Sequence, residues 1–414
     1  MADDRQGSDP ALTVASMVQS GQGQTQAIER AAGIYESRGI GNSYLITTDE
    51  GSVLVNAGAL GDAKRGRQLF AAVSDQPIRY IVLTQSHANQ FGGLEVYKTA
   101  TNQIIAQRTY LEDRRYFNAL GEHYQRGSRR VFSSITGPQK DIVPAQEIMP
   151  DMLMDDYLSL TLGGRRFEII ATPGGETRSA AIVWLPDEEI AIVGNLFGPL
   201  FGNYPNLNTL RGDKPRSALA FIDSAKRVRH LKPKQILTGH EDIQGQAEIQ
   251  KQLTRIINAM QWVYDKTIAG MNAGLPLRRL MADIQPPDDL LLTEEYGKLS
   301  WNIRAIYHEY TGWQEPERGI TDLYPVPASS IADDIKELLG GVQPLIERAQ
   351  AHLNQQQPLH ALHLLDIALA AEKNSTQAKT VRAEALKLLQ QQTGNKNLWE
   401  RRIIEAELRD LDEP

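Results

Sequence analysis

The residues best placed for chemistry lie in one decapeptide, Thr84-Gln85-Ser86-His87-Ala88-Asn89-Gln90-Phe91-Gly92-Gly93. It sets one imidazole among three primary amides. An unliganded histidine, with an ordinary pKa near ~6.5, can take up or deliver a proton at neutral pH. Amides donate and accept together, so Gln85, Asn89 and Gln90 can cradle a polar substrate or hold water. Glu176, at the end of Thr172-Pro-Gly-Gly-Glu176, can orient an imidazole, or act as a base if desolvation raises its pKa. Asn206 and Arg211 are spaced in Asn206-Leu-Asn-Thr-Leu-Arg211, and a planar guanidinium suits a sulfate, phosphate or carboxylate. His240 closes Thr238-Gly-His240, and Asn195 follows Val193-Gly194. Each has a plainer role open to it: a hydrogen-bonded loop histidine, a solvated carboxylate, a structural salt bridge.

These segments sit where strands should end. Residues 43–55 read as two β-rich runs joined by an Asp49-Glu50-Gly51 turn, a hairpin pattern. A helix is expected over 62–73 and a buried strand over 78–84. Short β-branched runs recur at Ile104, Phe167–Ala171, Ala180–Leu185, Ile190–Val193 and Gln235–Thr238. This alternation predicts an α/β layered domain over residues 36–246. Residues 1–35, polar and rich in Gln and Gly, read as an arm. Helical periodicity takes over from residue 247 to 414, ending in antiparallel helices of Ala/Leu texture without a strict 34-residue repeat. That half reads as an interaction or dimerisation module, or as a cap on the α/β domain.

The 414 residues include no cysteine, which removes thiolate nucleophiles and Cys-ligated metals. The formal charge is −7 and the basic residues are dispersed, so no nucleic-acid partner is expected. No apolar run approaches the ~18 residues needed to span a membrane. The start is polar, without the apolar core of a secretion signal, and a cytoplasmic location is the expectation.

The decapeptide resembles the T-H-x-H-x-D-H-x-G-G loop of the metallo-β-lactamase fold, which surrounds two metal ions. A more specific resemblance is to the linear alkyl sulfatases, a branch with a helical dimerisation domain and a C-terminal sterol-carrier-like domain. Thr172–Glu176 resembles their T-P-G-T-E, and Asn206–Gly212 their N-L-L-T-L-R-G, whose Asn and Arg contact the sulfate. Residues 296–313, from Tyr296-Gly-Lys-Leu-Ser-Trp301 onward, are similar to Y-G-x-x-S-H-N-V-R-A-V-Y-x-x-Y-x-G-W. The resemblance covers roughly residues 40–410, and the usual last domain would begin about where this sequence stops. It implies an αββα sandwich, an all-helical dimerisation domain and a homodimer.

The departures from the family pattern matter as much. One family zinc site takes two His and a Glu; here those positions are Gln85, His87 and Glu176. The other takes Asp, His, Glu and His; here they are Asn89, Gln90, Gly194 and His240. The family's His of S-H-N is Trp301, which packs in the core or narrows the pocket with an apolar wall. Neutral amides are poor zinc ligands, so no metal or other cofactor is expected; a single weak metal on His87, Glu176 and His240 is the exception to consider. The function expected is a repurposed alkyl sulfatase-like enzyme. It would bind a small anion, such as a sulfate ester, through Asn206 and Arg211. His87, Glu176 or His240 would carry metal-independent elimination, displacement or lyase chemistry. A non-catalytic dimeric scaffold or sensor, and a residual mononuclear hydrolase, are the alternatives.

Overall fold

The structure, a computed structural model, describes residues 21, 23–136, 148–208, 210, 212–312 and 315–412. The expected αββα sandwich is present. One sheet has seven strands in the order β1 (Ile28–Ala31), β2 (Ile34–Ser37), β3 (Ser43–Thr48), β4 (Gly51–Val55), β5 (Ile78–Val82), β6 (Gln103–Gln107) and β7 (Met152–Met154). The other has six: β8 (Tyr157–Leu162), β9 (Arg165–Ala171), β10 (Ala181–Leu185), β11 (Ile190–Gly194), β12 (Gln235–Thr238) and β13 (Asp242–Gln244). The hairpin expected at Asp49-Glu50-Gly51 joins β3 to β4, with Thr48 opposite Gly51. Strands β4 to β7 run parallel, as do β11 and β12.

Alternation along each strand builds three apolar layers. Val53, Val55 and Val82 face Phe167, Ile169, Val183 and Ile192 across the middle of the sandwich. On the outer side of the first sheet, Leu54, Ile81 and Ile104 pack against α1 (Leu60–Ala71), α2 (Ala88–Phe91), α3 (Leu94–Tyr97) and α4 (Tyr110–Ala119). The helix α5 (Gly121–Thr136) follows. On the outer side of the second sheet, Ile182, Trp184 and Val193 meet Phe221 and Ile222 of α6 (Ala218–Leu231). Strand β10 is therefore apolar at every position, since both of its faces are covered.

That second layer extends further along the chain than the change of periodicity at residue 246 marks. Ile249, Leu253, Ile256 and Met260 of α7 (Gln246–Asn272) join the same cluster as the sheet. So do Leu277 and Leu280 of α8 (Leu277–Asp283) and Ile303 and Ile306 of α9 (Leu299–Thr311). One compact unit comprises residues 1–127 and 135–309, the other 128–134 and 310–414. The division falls at 309/310 because α7 to α9 find their apolar partner on the sheet, not among the later helices.

The arm reading of residues 1–35 needs correction towards its C-terminal end. Residues 28–37 form an antiparallel hairpin at the edge of the first sheet. Polar composition concealed it: the wholly buried Glu36 is neutralised by Arg30 and Arg38 at 2.9 and 3.0 Å. Residues 1–20 lie outside the described residues.

The second unit contains α10 (Ala332–Leu339), α11 (Gln343–Asn354), α12 (Pro358–Ala371), α13 (Thr376–Gln392) and α14 (Leu398–Asp412). Leu345, Ile346, Ala349, Ala361, Leu365 and Val381 form a core shared by α11, α12 and α13. No helix among the described residues is long and apolar enough to cross a membrane.

Candidate functional site

Five strand-end segments supply the site, all from the first unit. After β4, Asn56 adopts a left-handed conformation at φ 61°. Its Oδ1 accepts from the Thr84 amide at 2.9 Å and from the Thr84 hydroxyl at 3.1 Å, anchoring the loop after β5. That loop carries Gln85, His87 and Gln90 into α2, with His87 as the residue preceding the helix. After β9, the 172–176 turn is gripped from two sides. Gly174 has φ +89°, and an added Cβ would lie 2.6 Å from the backbone of Phe221. The Ser224 hydroxyl donates to the Pro173 carbonyl at 2.6 Å. After β11 and β12, Gly194 and Gly239 are joined by a backbone bond of 2.8 Å, which sets Asn195 beside Gly239-His240.

At the centre stands a buried group of four charged or ionisable side chains. The Gln85 amide nitrogen lies 2.9 Å from His87 Nδ1. Donation there leaves the imidazole proton on Nε2, which points to Asp213 Oδ2 at 3.0 Å. Glu176 Oε2 is 3.6 Å from His87 Nδ1. The Arg216 guanidinium joins both carboxylates, to Asp213 at 3.2 Å and to Glu176 at 3.5 Å, and donates to the Asn206 carbonyl at 2.5 Å. The four side chains are no more than 8% exposed. One face of the imidazole is bounded by Phe117 of α4, edge-on at 6.0 Å between ring centres.

A second network fixes the two loops to one another. Asp113 of α4 accepts from Ser86 at 3.1 Å and from Ser179 at 2.8 Å. One carboxylate therefore ties the neighbour of His87 to the end of the Glu176 turn. Arg178 stands 3.5 Å from its other oxygen and 2.9 Å from Glu112, whose remaining partner is Lys214 at 3.1 Å. The pairing with Arg178 and Lys214 lowers the pKa of Glu112.

His87 and Glu176 are thus brought together, and Gln85 holds the imidazole. Glu176 acts electrostatically on His240 as well, raising its pKa against a larger opposing effect of burial; the net result pushes His240 down to about 4. Asn195 and Gln90 are buried beside Gly239. Asn89 is half-buried and its amide reaches the Ile40 carbonyl at 3.4 Å, away from the imidazole. Asn206 contributes its carbonyl to Arg216. Trp301 is half-buried on α9 with Lys298 over its ring at 5.6 Å. Arg211, expected to bind the anion, lies outside the described residues.

Sequence reasoning missed Asp213, Arg216 and Asp113. Asp213 and Arg216 stand two and five residues past Arg211, in Gly212-Asp-Lys-Pro-Arg216, and the only signal was an opposite-charge pair in a stretch that Pro215 keeps from being helical. Among the described residues no three His, Asp or Glu side chains are arranged to hold a metal ion. At the family's glutamate position, Gly194 has φ +53°, and an added Cβ would stand 2.2 Å from the Thr84 hydroxyl.

The metallo-beta-lactamase superfamily model matches residues 37–240, and the alkyl sulfatase dimerisation model matches residues 280–410. Residues 37–240 thus form a metallo-β-lactamase superfamily domain, and residues 280–410 an alkyl sulfatase dimerisation domain. A linear primary-alkylsulfatase from Pseudomonas sp. is 24% identical over 372 residues, covering 83% of this chain and 69% of that protein. An alkyl/aryl-sulfatase from Saccharomyces cerevisiae is 23% identical, covering 86% of this chain and 59% of its own length. The solved structure of a stereoselective inverting sec-alkylsulfatase from Pseudomonas sp. superposes with a TM-score of 0.81 at 21% identity; 93% of this chain and 65% of that one are covered. The chain therefore spans well under the full length of these relatives.

Two measurements test the electrostatics. Replacing Arg216 with methionine leaves two buried carboxylates without their cation. It is expected to lower stability to urea by about 3–5 kcal/mol at neutral pH; a loss below 1 kcal/mol would show the pair to be solvated. His240, with its pKa lowered from 6.5 to about 4, binds fewer protons folded than unfolded between those values. Stability should then rise as pH increases from 4 to 6.5, by roughly 3 kcal/mol from this residue. His240→Phe should flatten that portion of the pH profile, and an unchanged slope would assign it to another group.

Proposed function

We propose that the protein binds a small sulfate-ester-like anion beside His87 and exchanges a proton with it without a binuclear metal centre. The observation that carries this reading is the 3.0 Å hydrogen bond between His87 Nε2 and Asp213, itself backed by Arg216. A carboxylate in that position fixes the tautomer and stabilises the imidazolium that forms on proton uptake. Gln85, on the other nitrogen, must then give way so that Nδ1 can take up the proton, which Glu176 at 3.6 Å stabilises there. Arg211 and Asn206 supply the anion contacts on this reading, by their likeness to the family motif.

The residues present do not fit a pair of zinc ions. Catalytic zinc takes three protein ligands of His, carboxylate or Cys type, with one position open. Here Gln85, Asn89, Gln90 and Gly194 stand at four of the seven family positions, and both nitrogens of His87 already meet protein partners. A carboxylate side chain at 194 would displace Thr84 from Asn56. The retained groups favour proton transfer to or from the ligand, as in elimination, displacement or lyase chemistry.

One observation favours a second reading, a ligand-binding protein without turnover: the His87 imidazole is satisfied entirely from within the protein. The two separate in one experiment. Metal content is measured on purified protein after exposure to zinc and removal of the excess. Turnover of alkyl sulfates is then followed in EDTA by sulfate release and by product mass. The proposed enzyme retains less than about a tenth of an equivalent of metal and stays active in EDTA. His87→Ala then loses about 10²–10⁴-fold in rate. Turnover that requires stoichiometric zinc would reinstate a hydrolase; sulfate-ester binding without turnover would favour the second reading.

We further propose that the chain is a homodimer formed through its second unit. Ile320, Tyr324, Val326, Ile331, Leu338 and Leu359 of that unit expose large apolar surfaces, Leu338 to 85%. Exposed apolar side chains gathered in one unit favour an interface there. Light scattering at micromolar concentration should give twice the chain mass, falling to the chain mass in Ile320→Glu/Leu338→Glu. A monomeric wild-type protein would overturn the assignment.

A further inference from the structure

Beside the charged group lies a second set of buried polar atoms with a different character. Among the described residues, neither Nε2 nor Oε1 of the fully buried Gln90 has a hydrogen-bond partner. Nor, among them, does Oδ1 of Asn195, which is 6% exposed, or the buried Nδ1 of His240. The backbone brings the two amides to one place. An added Cβ on Gly239 would stand 1.9 Å from Asn195 Oδ1 and 3.3 Å from Gln90 Nε2. One on Gly41 would stand 2.9 Å from the same Gln90 nitrogen. Two glycines thus let the backbone approach a single amide from two strand-end loops, and His240 follows directly in the chain.

Leaving a buried donor or acceptor unpaired costs about 1–3 kcal/mol per group. Three such atoms on two adjoining amides, with a fourth on the residue that follows Gly239, call for a partner from outside the chain. A primary amide presents a donor edge and an acceptor edge whichever way it is turned, so the partner must both give and receive hydrogen bonds. None of the four atoms belongs to a cation, and the Glu176 carboxylate acts on His240 from the neighbouring turn, which disfavours an anion there. Water meets these conditions, and so does a hydroxyl of the ligand that displaces it.

We propose that Gln90, Asn195 and His240 form a neutral subsite that takes an alcohol hydroxyl of the ligand. The proposal rests on the sulfate-ester reading for the other half of the molecule: the preferred ligand is a hydroxylated alkyl sulfate, not a plain one. It assigns the amides a role in selecting the ligand, where Asp213, His87 and Arg216 act on its charge and protons.

The test uses the full chain with three probes: octyl sulfate, 2-hydroxyoctyl sulfate and 1,2-octanediol, each below its micellar concentration. Affinities are measured by calorimetry, and the side-chain amide resonances of Gln90 and Asn195 are followed by nuclear magnetic resonance. They are assigned by their loss in Gln90→Leu and Asn195→Leu. The hydroxylated ester should bind about ten-fold more tightly than octyl sulfate, the worth of one to two net hydrogen bonds. It should shift both amide resonances, octyl sulfate should leave them in place, and the preference should fall towards one-fold in Gln90→Leu. Shifts caused by the diol when neither ester binds would uphold the hydroxyl subsite and sink the sulfate-ester reading. Equal affinity for the two esters, or amide resonances unmoved by both hydroxylated probes, would overturn the subsite and leave only ordered water there.

Discussion

The site depends on one guanidinium. Arg216 lies under the protein surface between two carboxylates, Asp213 and Glu176, that come from different loops. Neither carboxylate can stay ionised in the interior unless a cation shares its field. Because Arg216 also holds the Asn206 carbonyl, it draws the 206–216 segment onto the 172–176 turn. His87 is then caught between those carboxylates, at 3.0 Å from one and 3.6 Å from the other. Remove the cation and the reason for Asp213 to face the imidazole disappears with it. Asp113 has a related role further out, where its carboxylate takes hydroxyls from both the His87 loop and the Glu176 turn.

The sheets make this convergence possible. Parallel strands β4 to β6 and the β11–β12 pair deliver loops to one edge of the sandwich, and the apolar interior behind them fixes the direction in which each loop leaves. Most of this was legible beforehand. Continuous apolar and β-branched runs located β4, β10, β11 and β12, because both of their faces are buried; in β9 buried and less buried positions alternate. The hairpin at 28–37 was not legible, since its central glutamate is neutralised by arginines that only the fold brings near. The stretch that holds α7 to α9 was read as helical, with a dimerisation module and a cap on the α/β domain both open, because periodicity identifies an apolar stripe without naming the surface it meets.

The candidate site divides along the same line. Residues carried by strand-end motifs, such as His87, Glu176, Asn195 and His240, could be named from sequence spacing. Asp213 and Arg216 could not, because their roles arise from long-range pairings, Arg216 with Glu176 and Asp213 with His87. An aspartate in a Gly-Asp-Lys-Pro stretch reads as a turn residue by composition alone. The motif residue Asn206 participates through its backbone carbonyl, a contact no side-chain pattern encodes.

The replacements in the motif are mutually consistent in one respect. Gly194 removes a side chain whose first carbon would strike Thr84, and Thr84 is held by Asn56, which sets the loop carrying His87. A carboxylate cannot return at 194 without moving that loop, so a single reversion of one position would not rebuild an acidic ligand set. The amides at 85 and 90 are separated in function by their partners. Gln85 spends its nitrogen on the imidazole, whereas Gln90 has both ends of its amide unengaged among glycines. The site therefore offers two unlike surfaces: a charged one around His87, bounded by Phe117, and a neutral one around Gln90. A ligand that satisfies both must carry its charge and its hydroxyl on different atoms. The neutral side adds selection by hydrogen bonding to the selection by charge, because an amide left unmet in the interior keeps its full desolvation penalty.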